Sequence, residues 1–562
     1  MSRLDVRGLS LLAVGLLVVV AGCDEQGDPR VTYAVPLVLQ ETSQSTPSAG
    51  PGEPVRLGVT VSATAEEALS FVWSTTAGAV STSVDAAGRS EAVWTALSCL
   101  APGETPTVTV TVTDSAGLSV SHTFTVTWTG PVCTRAPCLF SLGDGRVALM
   151  ADCTTDSTLL IPDDYTFDGQ GHTVTAVDPP GGTFTGAVLR NRGPRARVRD
   201  VTVTASGLKD GCKAGAARLR GILLEGASGE VVDSEVSNIQ KGAGASGCQE
   251  GFGIEVRNDD ASRGPFRVDV LRNRVTGYQK TGLLAVGTVE VTFSGNTVEG
   301  GGPVKHIARN GLQVSFGARG RVTGNSISGN AYTGPVEYTF GAGLVVTGGS
   351  YFGPDSPLVK DLVVEGNTLT DNDVGVSLSQ LDGTPAAEAP PATPTRIRVA
   401  GNTLSNGSAS NPSYQAAIAD YGTANILTSN LISGAGYDPA ATVPRRTFAV
   451  DVWVGAVAKL AFLTAPQDVA VGACSGKLTV QSQDANGNLV PTAGTFTLAA
   501  TGSAALTFFA DPGCTGGALS TVSLSNTQAE ANFYFKATTP GAVTVSVSGE
   551  GLSPASQAHT VH

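Results

Sequence analysis

Through most of this chain apolar and polar residues alternate in short runs, with no sustained helical period. Val55-Arg56-Leu57-Gly58-Val59-Thr60-Val61 and Thr107-Val108-Thr109-Val110-Thr111-Val112 place every second side chain on one face, as a half-buried strand requires. Asp114-Ser115-Ala116-Gly117 follows the second run as a hairpin turn. Between Asn273 and Ile432 the pattern becomes a repeat. Its phrases are Arg272-Asn273-Arg274-Val275, Gly295-Asn296-Thr297-Val298, Gly324-Asn325-Ser326-Ile327, Gly366-Asn367-Thr368-Leu369, Gly401-Asn402-Thr403-Leu404 and Ser429-Asn430-Leu431-Ile432. The asparagines are 23, 29, 42, 35 and 28 residues apart. A short β-rich segment precedes each phrase, and a Gly-plus-aliphatic segment often follows. A repeat of this period built from strand-length pieces predicts a β-solenoid.

These phrases resemble the right-handed parallel β-helix repeat, the pectin-lyase-like fold. Phe167-Asp168-Gly169-Gln170-Gly171-His172-Thr173-Val174 is similar to the entry coil of many such proteins. The resemblance spans roughly residues 140–455. It implies coils stacked about 4.8 Å apart, with Asn273, Asn296, Asn325, Asn367, Asn402 and Asn430 forming a structural amide ladder. The fold hosts both enzymes and non-enzymes, so it leaves activity open. The segments Tyr332–Phe340 and Leu381–Thr395 read as loops on the solenoid's flank.

Two further modules frame the repeat. Residues 31–130 read as a β-sandwich. Phe71-Val72-Trp73-Ser74 resembles the core-tryptophan strand of immunoglobulin-like and PKD-like domains, which implies that Trp73 packs between the sheets. Residues 456–562 resemble bacterial immunoglobulin-like, Big-type, modules, with strands at Lys459-Leu460-Ala461-Phe462 and Leu478-Thr479-Val480-Gln481. The expected class is all-β: a right-handed parallel β-helix flanked by two immunoglobulin-like β-sandwiches.

The N-terminus carries an export signal over residues 1–22. Arg3 and Arg7 precede the apolar run Gly8–Val20, which is too short to span a membrane. Val20-Ala21-Gly22-Cys23 resembles a bacterial lipoprotein box, which implies lipidation of Cys23, a short tether over residues 23–30 and anchoring to a bacterial membrane. Setting Cys23 aside leaves eight of the nine cysteines, a number suited to disulfides outside the cytoplasm. Cys474 is expected to pair with Cys514, and Cys212 with Cys248. The pairing of Cys99, Cys133, Cys138 and Cys153 stays open. No Cys-x-x-Cys pair occurs and histidine is scarce, so no metal or other cofactor is expected.

The net charge of −13 is unevenly spread. Residues 140–455 hold 26 of the 35 Lys and Arg against 31 acidic residues, so the basic side chains concentrate in the solenoid. No basic cluster is interleaved with aromatics, which argues against nucleic acid. Within the repeat, Asn238-Ile239-Gln240-Lys241-Gly242, Gly277-Tyr278-Gln279-Lys280-Thr281-Gly282 and His306-Ile307-Ala308-Arg309-Asn310-Gly311 share a place after the Asn phrase. Equal positions stack in a solenoid, so Lys241, Lys280 and Arg309 would form a basic line with His306 beside it. Asp373 and Gln415 take the same place in later coils.

A basic line suits an acidic polysaccharide, because Lys and Arg pair with uronate carboxylates or sulfates. Some β-helix lyases use a Lys/Arg pair for β-elimination, which needs a lysine of lowered pKa as base. Lys280, Arg309 and His306 are the catalytic candidates on that reading. Lys241, Tyr278, Arg195, Arg197 and Arg199 are the substrate-binding ones. Tyr278 and Tyr332 are the aromatic platforms nearest the line. The hydrolase Asn-Thr-Asp pattern and the pectate-lyase Trp-Ile-Asp-His pattern are absent. The expected function is recognition of an extended polymer, a polysaccharide, at the cell envelope. A uronate lyase and a non-catalytic adhesin are the alternatives.

Overall fold

The computed structural model describes residues 37–62, 68–242, 247–384, 387–440, 446–452, 456–485, 487, 490, 492–525 and 528–562. The signal segment, Cys23 and the tether lie outside the described residues. No described helix is long and apolar enough to cross a membrane. The chain forms two compact units, residues 1–284 with 289–297, and residues 285–288 with 298–562.

The first unit opens with two antiparallel sheets packed face to face. One joins Val38–Gln44, Val55–Ser62, Arg89–Thr95 and Ala79–Val80; the other joins Ser70–Thr75, Thr107–Thr113 and Ser119–Thr125. Their alternating residues Val55, Leu57, Val59, Val108, Val110 and Val112 meet in the core. Trp73 sits at the margin of that core, where it stacks on Phe124 and donates to Ser90 Oγ at 2.9 Å. The fully buried tryptophan is Trp94, whose Nε1 donates to Ala77 O at 2.7 Å. Phe71-Val72-Trp73-Ser74 is thus a strand as expected, but the central aromatic comes from Arg89–Thr95.

Two disulfides, Cys99–Cys133 and Cys138–Cys153, bracket the passage from sandwich to solenoid. Phe140–Gly143 pairs antiparallel with Arg146–Leu149, and from there every pairing along that row is parallel. Each coil contributes one strand to each of three sheets. Register stacks like on like. Val147, Phe167, Val198, Val231, Val270 and Phe293 follow one another in one sheet of this unit, each fully buried. In the second unit Leu312, Leu344, Val376 and Ile418 do the same in another sheet.

The Asn phrase turns the corner between two sheets. The residue before each ladder asparagine is left-handed, with φ of 55° at Arg272, 65° at Gly295, 63° at Gly324, 65° at Gly366, 61° at Gly401 and 55° at Ser429. Glycine meets that requirement without strain, which explains its frequency there. Asn273 donates its backbone N–H to Asn296 Oδ1 at 2.9 Å and its side-chain amide to Val231 O at 2.8 Å. In the second unit Asn325 Nδ2 donates to Asn367 Oδ1, Asn367 Nδ2 to Asn402 Oδ1 and Asn402 Nδ2 to Asn430 Oδ1, each at 2.9 Å. Each buried amide thereby satisfies the backbone of its corner, as interior polar groups require.

The second unit ends in another pair of sheets. Lys459–Phe462, Leu478–Gln483, Glu530–Ala537 and Leu506–Phe509 form one; Asp468–Val469, Ala555–Val561, Gly541–Ser548, Gly494–Gly502 and Thr521–Leu524 form the other. Phe533, Phe535, Leu478, Val545 and Val547 fill the space between them. Cys474 and Cys514 are bonded there, and Cys212 and Cys248 are bonded in the first unit. Four disulfides mark an exported protein.

Candidate ligand groove

The expected basic line is not a surface. Lys241 and Lys280 stand in the first unit, Arg309 and His306 in the second, and each has its own surroundings. Lys241 is buried, with Nζ 3.2 Å from Glu250 Oε2. Glu250 comes from the insertion that Cys212–Cys248 closes, and it also accepts the backbone N–H of Leu219 at 2.9 Å. Arg309 is buried too, and its Nη1 donates to Gly300 O. Tyr278 and Tyr332 are enclosed in the core, 0% and 4% exposed. Lys241, Tyr278 and Tyr332 are therefore out of reach of a polymer, and the substrate-binding expectation for Lys241 and Tyr278 is corrected. Lys241 turns inward to the segment that carries Glu250, and the two tyrosine rings lie in the interior.

Lys280 is half-buried, and burial lowers its ammonium pKa to about 8. Burial first, and then the charge of Arg309, hold the His306 imidazole below its ordinary value. Arg195, Arg197 and Arg199 alternate with buried Ala196 and Val198, so they share the outer face of one strand. Acidic residues of the preceding coil accompany them. Arg199 lies 2.6 Å from Asp168, Arg197 lies 3.8 Å from Asp164, and the backbone N–H of Arg195 donates to Asp163 at 3.0 Å. Arg190 pairs with Glu225 and Arg192 with Glu53. The outer face thus carries both signs.

A groove of about 680 Å³ opens in the second unit instead. Tyr338, Phe340, Tyr351 and Tyr421 line it with rings, and Glu388, Arg446 and Asp451 with charge. Its walls include the two flank loops that the sequence marks out, Tyr332–Phe340 and Leu381–Thr395. Tyr338 is 60% exposed at the rim. Phe340 packs on Tyr414 and Tyr414 on Phe448, with ring centres 5.6 and 6.1 Å apart, so the Phe340 wall of the groove is backed by stacked rings. Tyr351 stands on a short turn that Asp382 holds by accepting the backbone N–H of Ser350 at 3.0 Å.

Asp451 gathers the polar end of the groove. Its Oδ2 accepts from Tyr414 Oη at 2.7 Å and from Tyr421 Oη at 3.2 Å. Burial, together with that carboxylate, pushes the Tyr421 phenol up to about 12 and the Tyr414 phenol further still. Both phenols therefore stay protonated donors. The guanidinium of Arg446 lies over the Phe448 ring, 5.3 Å from its centre. Two carboxylates and one guanidinium leave the groove net acidic. Rings with a few convergent polar groups are the usual composition of a ligand site.

The family model for a right-handed beta helix region matches residues 220–432. The solenoid is a right-handed β-helix. No curated protein matches the chain. The β-helix carries a second amide ladder beside the first. Asn330 Nδ2 donates to Asn372 Oδ1 at 2.8 Å, and Asn406 Nδ2 to Asn372 O at 2.8 Å. Its signal was present, since each of these asparagines follows a ladder asparagine by four or five residues. The groove had no comparable signal. Its rings come from separate loops and strand ends at no fixed spacing, and only folding brings them together.

Proposed function

We propose that this protein recognises an extended polysaccharide at the cell envelope, and that the groove of the second unit is where it does so. The observation that carries this reading is the exposed Tyr338 ring, set in one groove with Phe340, Tyr351 and Tyr421 beside Glu388, Arg446 and Asp451. Ring faces receive the apolar faces of sugars, while the carboxylates and guanidinium serve the hydroxyls. The net acidic charge favours a neutral or amino sugar over a polyuronate. Stacked coils suit a polymer, since they present one surface over many sugar units. Lipidation of Cys23 would hold the protein on a bacterial membrane.

The test is retention of the full chain on immobilised neutral β-glucan, chitosan and polyuronate. Binding to one of the first two, weakened about tenfold by Tyr338→Ala, is expected. That loss corresponds to about 1.4 kcal/mol, within the range of one aromatic contact. No retention on any of the three, or retention that Tyr338→Ala leaves unchanged, would sink this site.

The lowered pKa of Lys280 supports a second reading, uronate β-elimination with Lys280 as base. Ultraviolet absorbance of an unsaturated uronate product, lost in Lys280→Ala, is what that reading requires. Polyuronate incubated without such product would remove it.

A further inference from the structure

One side-chain oxygen ties both ends of the segment that brings Tyr338 and Phe340 to the groove. Asp373 Oδ2 accepts the backbone N–H of Tyr332 at 2.7 Å and that of Gly341 at 2.9 Å. The amide of Asp373 donates to Asn330 O at 3.0 Å, at the foot of the same segment. Asn411, one coil further on, reaches that Oδ2 at 2.9 Å and donates to Thr339 O at 3.0 Å. Ser413 Oγ accepts the Tyr338 N–H at 3.1 Å. Between these ties, residues 335–338 are exposed.

Resting on the reading of the groove as a polysaccharide site, we propose that Asp373 is its positioning residue. The carboxyl clasps the aromatic loop from the next coil, and releasing the clasp takes Tyr338 and Phe340 out of the groove. Asp373 touches no ligand on this account. It acts by fixing where two rings stand, which is the part of binding that a preformed site supplies.

The clasp has a built-in weakness. Asp373 is fully buried, and its Oδ1 has no hydrogen-bond partner among the described residues. A buried anionic oxygen without a partner is costly. Burial therefore raises its pKa to about 7, against the pull of its three hydrogen bonds. The nearby titratable groups do not relieve it. The Tyr437 phenol is itself raised, first by burial and then by the charges of Asp373 and Asp371. The closed loop thus holds a proton that an opened, hydrated carboxyl would release near pH 4. Raising the pH from about 4 to 7 favours opening, lowering it favours closure, and above 7 both forms are ionised and the dependence ends.

Hydrogen–deuterium exchange of the full chain reads the loop without needing a ligand. Corrected for intrinsic rates, protection of the 332–341 amides is expected to fall between about pH 4 and 7, by at most about tenfold per pH unit for one proton, and to level off above that. Asp373→Asn, a neutral mimic of the protonated form, should keep the protection and flatten that dependence. Asp373→Ala should lose it at every pH while the strand Val363–Glu365 stays protected. Wild-type protection in Asp373→Ala, or an unchanged pH dependence in Asp373→Asn, would overturn the proposal. If the alanine variant does not fold, the asparagine series alone decides. Loop exchange as expected without glycan retention would leave the clasp standing and sink the polysaccharide reading; retention with an indifferent loop would do the reverse.

Discussion

Lys241 Nζ lies 3.2 Å from Glu250 Oε2, and neither side chain meets solvent. Removing one partner leaves the other charge buried alone, which typically costs about 3–5 kcal/mol. Lys241→Ala is expected to lose that much in urea unfolding. Adding Glu250→Gln to a Lys241→Met chain should restore most of it, since glutamine still accepts the Leu219 N–H. Losses that simply add in the double variant would contradict the pairing.

The amide ladder should weaken in proportion to burial. Asn367 is buried, and its Oδ1 accepts both the backbone N–H and the side-chain amide of Asn325. Asn367→Ala strands those donors and is expected to cost about 2–4 kcal/mol. Asn430 is half-exposed, so water can take over its role, and Asn430→Ala should cost about 1 kcal/mol or less. Equal shifts in melting temperature for the two variants would rule out this account.

Asp168 should make the first unit sensitive to acid. Burial acts to raise its pKa, but the hydrogen bond from Arg199 and the charges of Arg199 and Arg146 hold the carboxyl below its ordinary value. A depressed folded-state pKa gives stability that is present above about pH 4 and is lost as the pH falls through the folded value. Thermal unfolding followed from neutral to acid pH should show a shallower acid limb in Asp168→Asn. An identical limb would remove Asp168 from the cause.

Cys23 can be tested in the cell. Cys23→Ala should move the protein from the detergent phase to the aqueous phase after extraction, because acyl chains on that residue are the expected anchor. Persistence in the detergent phase would mean that something else holds it.

Legibility tracked periodicity. Asn273 to Asn430 could be found because a stacked corner imposes the same residue on each coil, and Cys212–Cys248 because both bounded insertions within the repeat. The basic line failed for a reason that lies in the same corner. Arg309, Asp373 and Gln415 do occupy matching places, each just before a paired strand position, and all three are buried; Lys241 is buried too, but it stands ahead of the insertion, and Gly251 precedes the strand of its coil. Each turns toward a loop of its own. Lys241 meets Glu250, Arg309 meets Gly300, Asp373 meets Tyr332 and Gly341, and Gln415 Nε2 donates to Gly436 O at 2.9 Å. Sequence aligns the positions of Arg309, Asp373 and Gln415 but carries Lys241 out of register across the insertion that follows it. It does not show which way a corner points, and a surface reading assumed the wrong side. Tyr278 and Tyr332 misled for the same reason, whereas Tyr338 lay in a segment already read as a loop.

The division of labour at this corner bears on how such a protein can be rebuilt. Ladder asparagines bind along the stack, while Asp373 binds a loop that belongs to the coil before it. The unit that can be exchanged between solenoids is therefore not a single repeat. A graft of residues 332–341 onto another scaffold would need the acid one turn downstream as well, and a boundary drawn between the two would carry the rings across and leave their fastening behind.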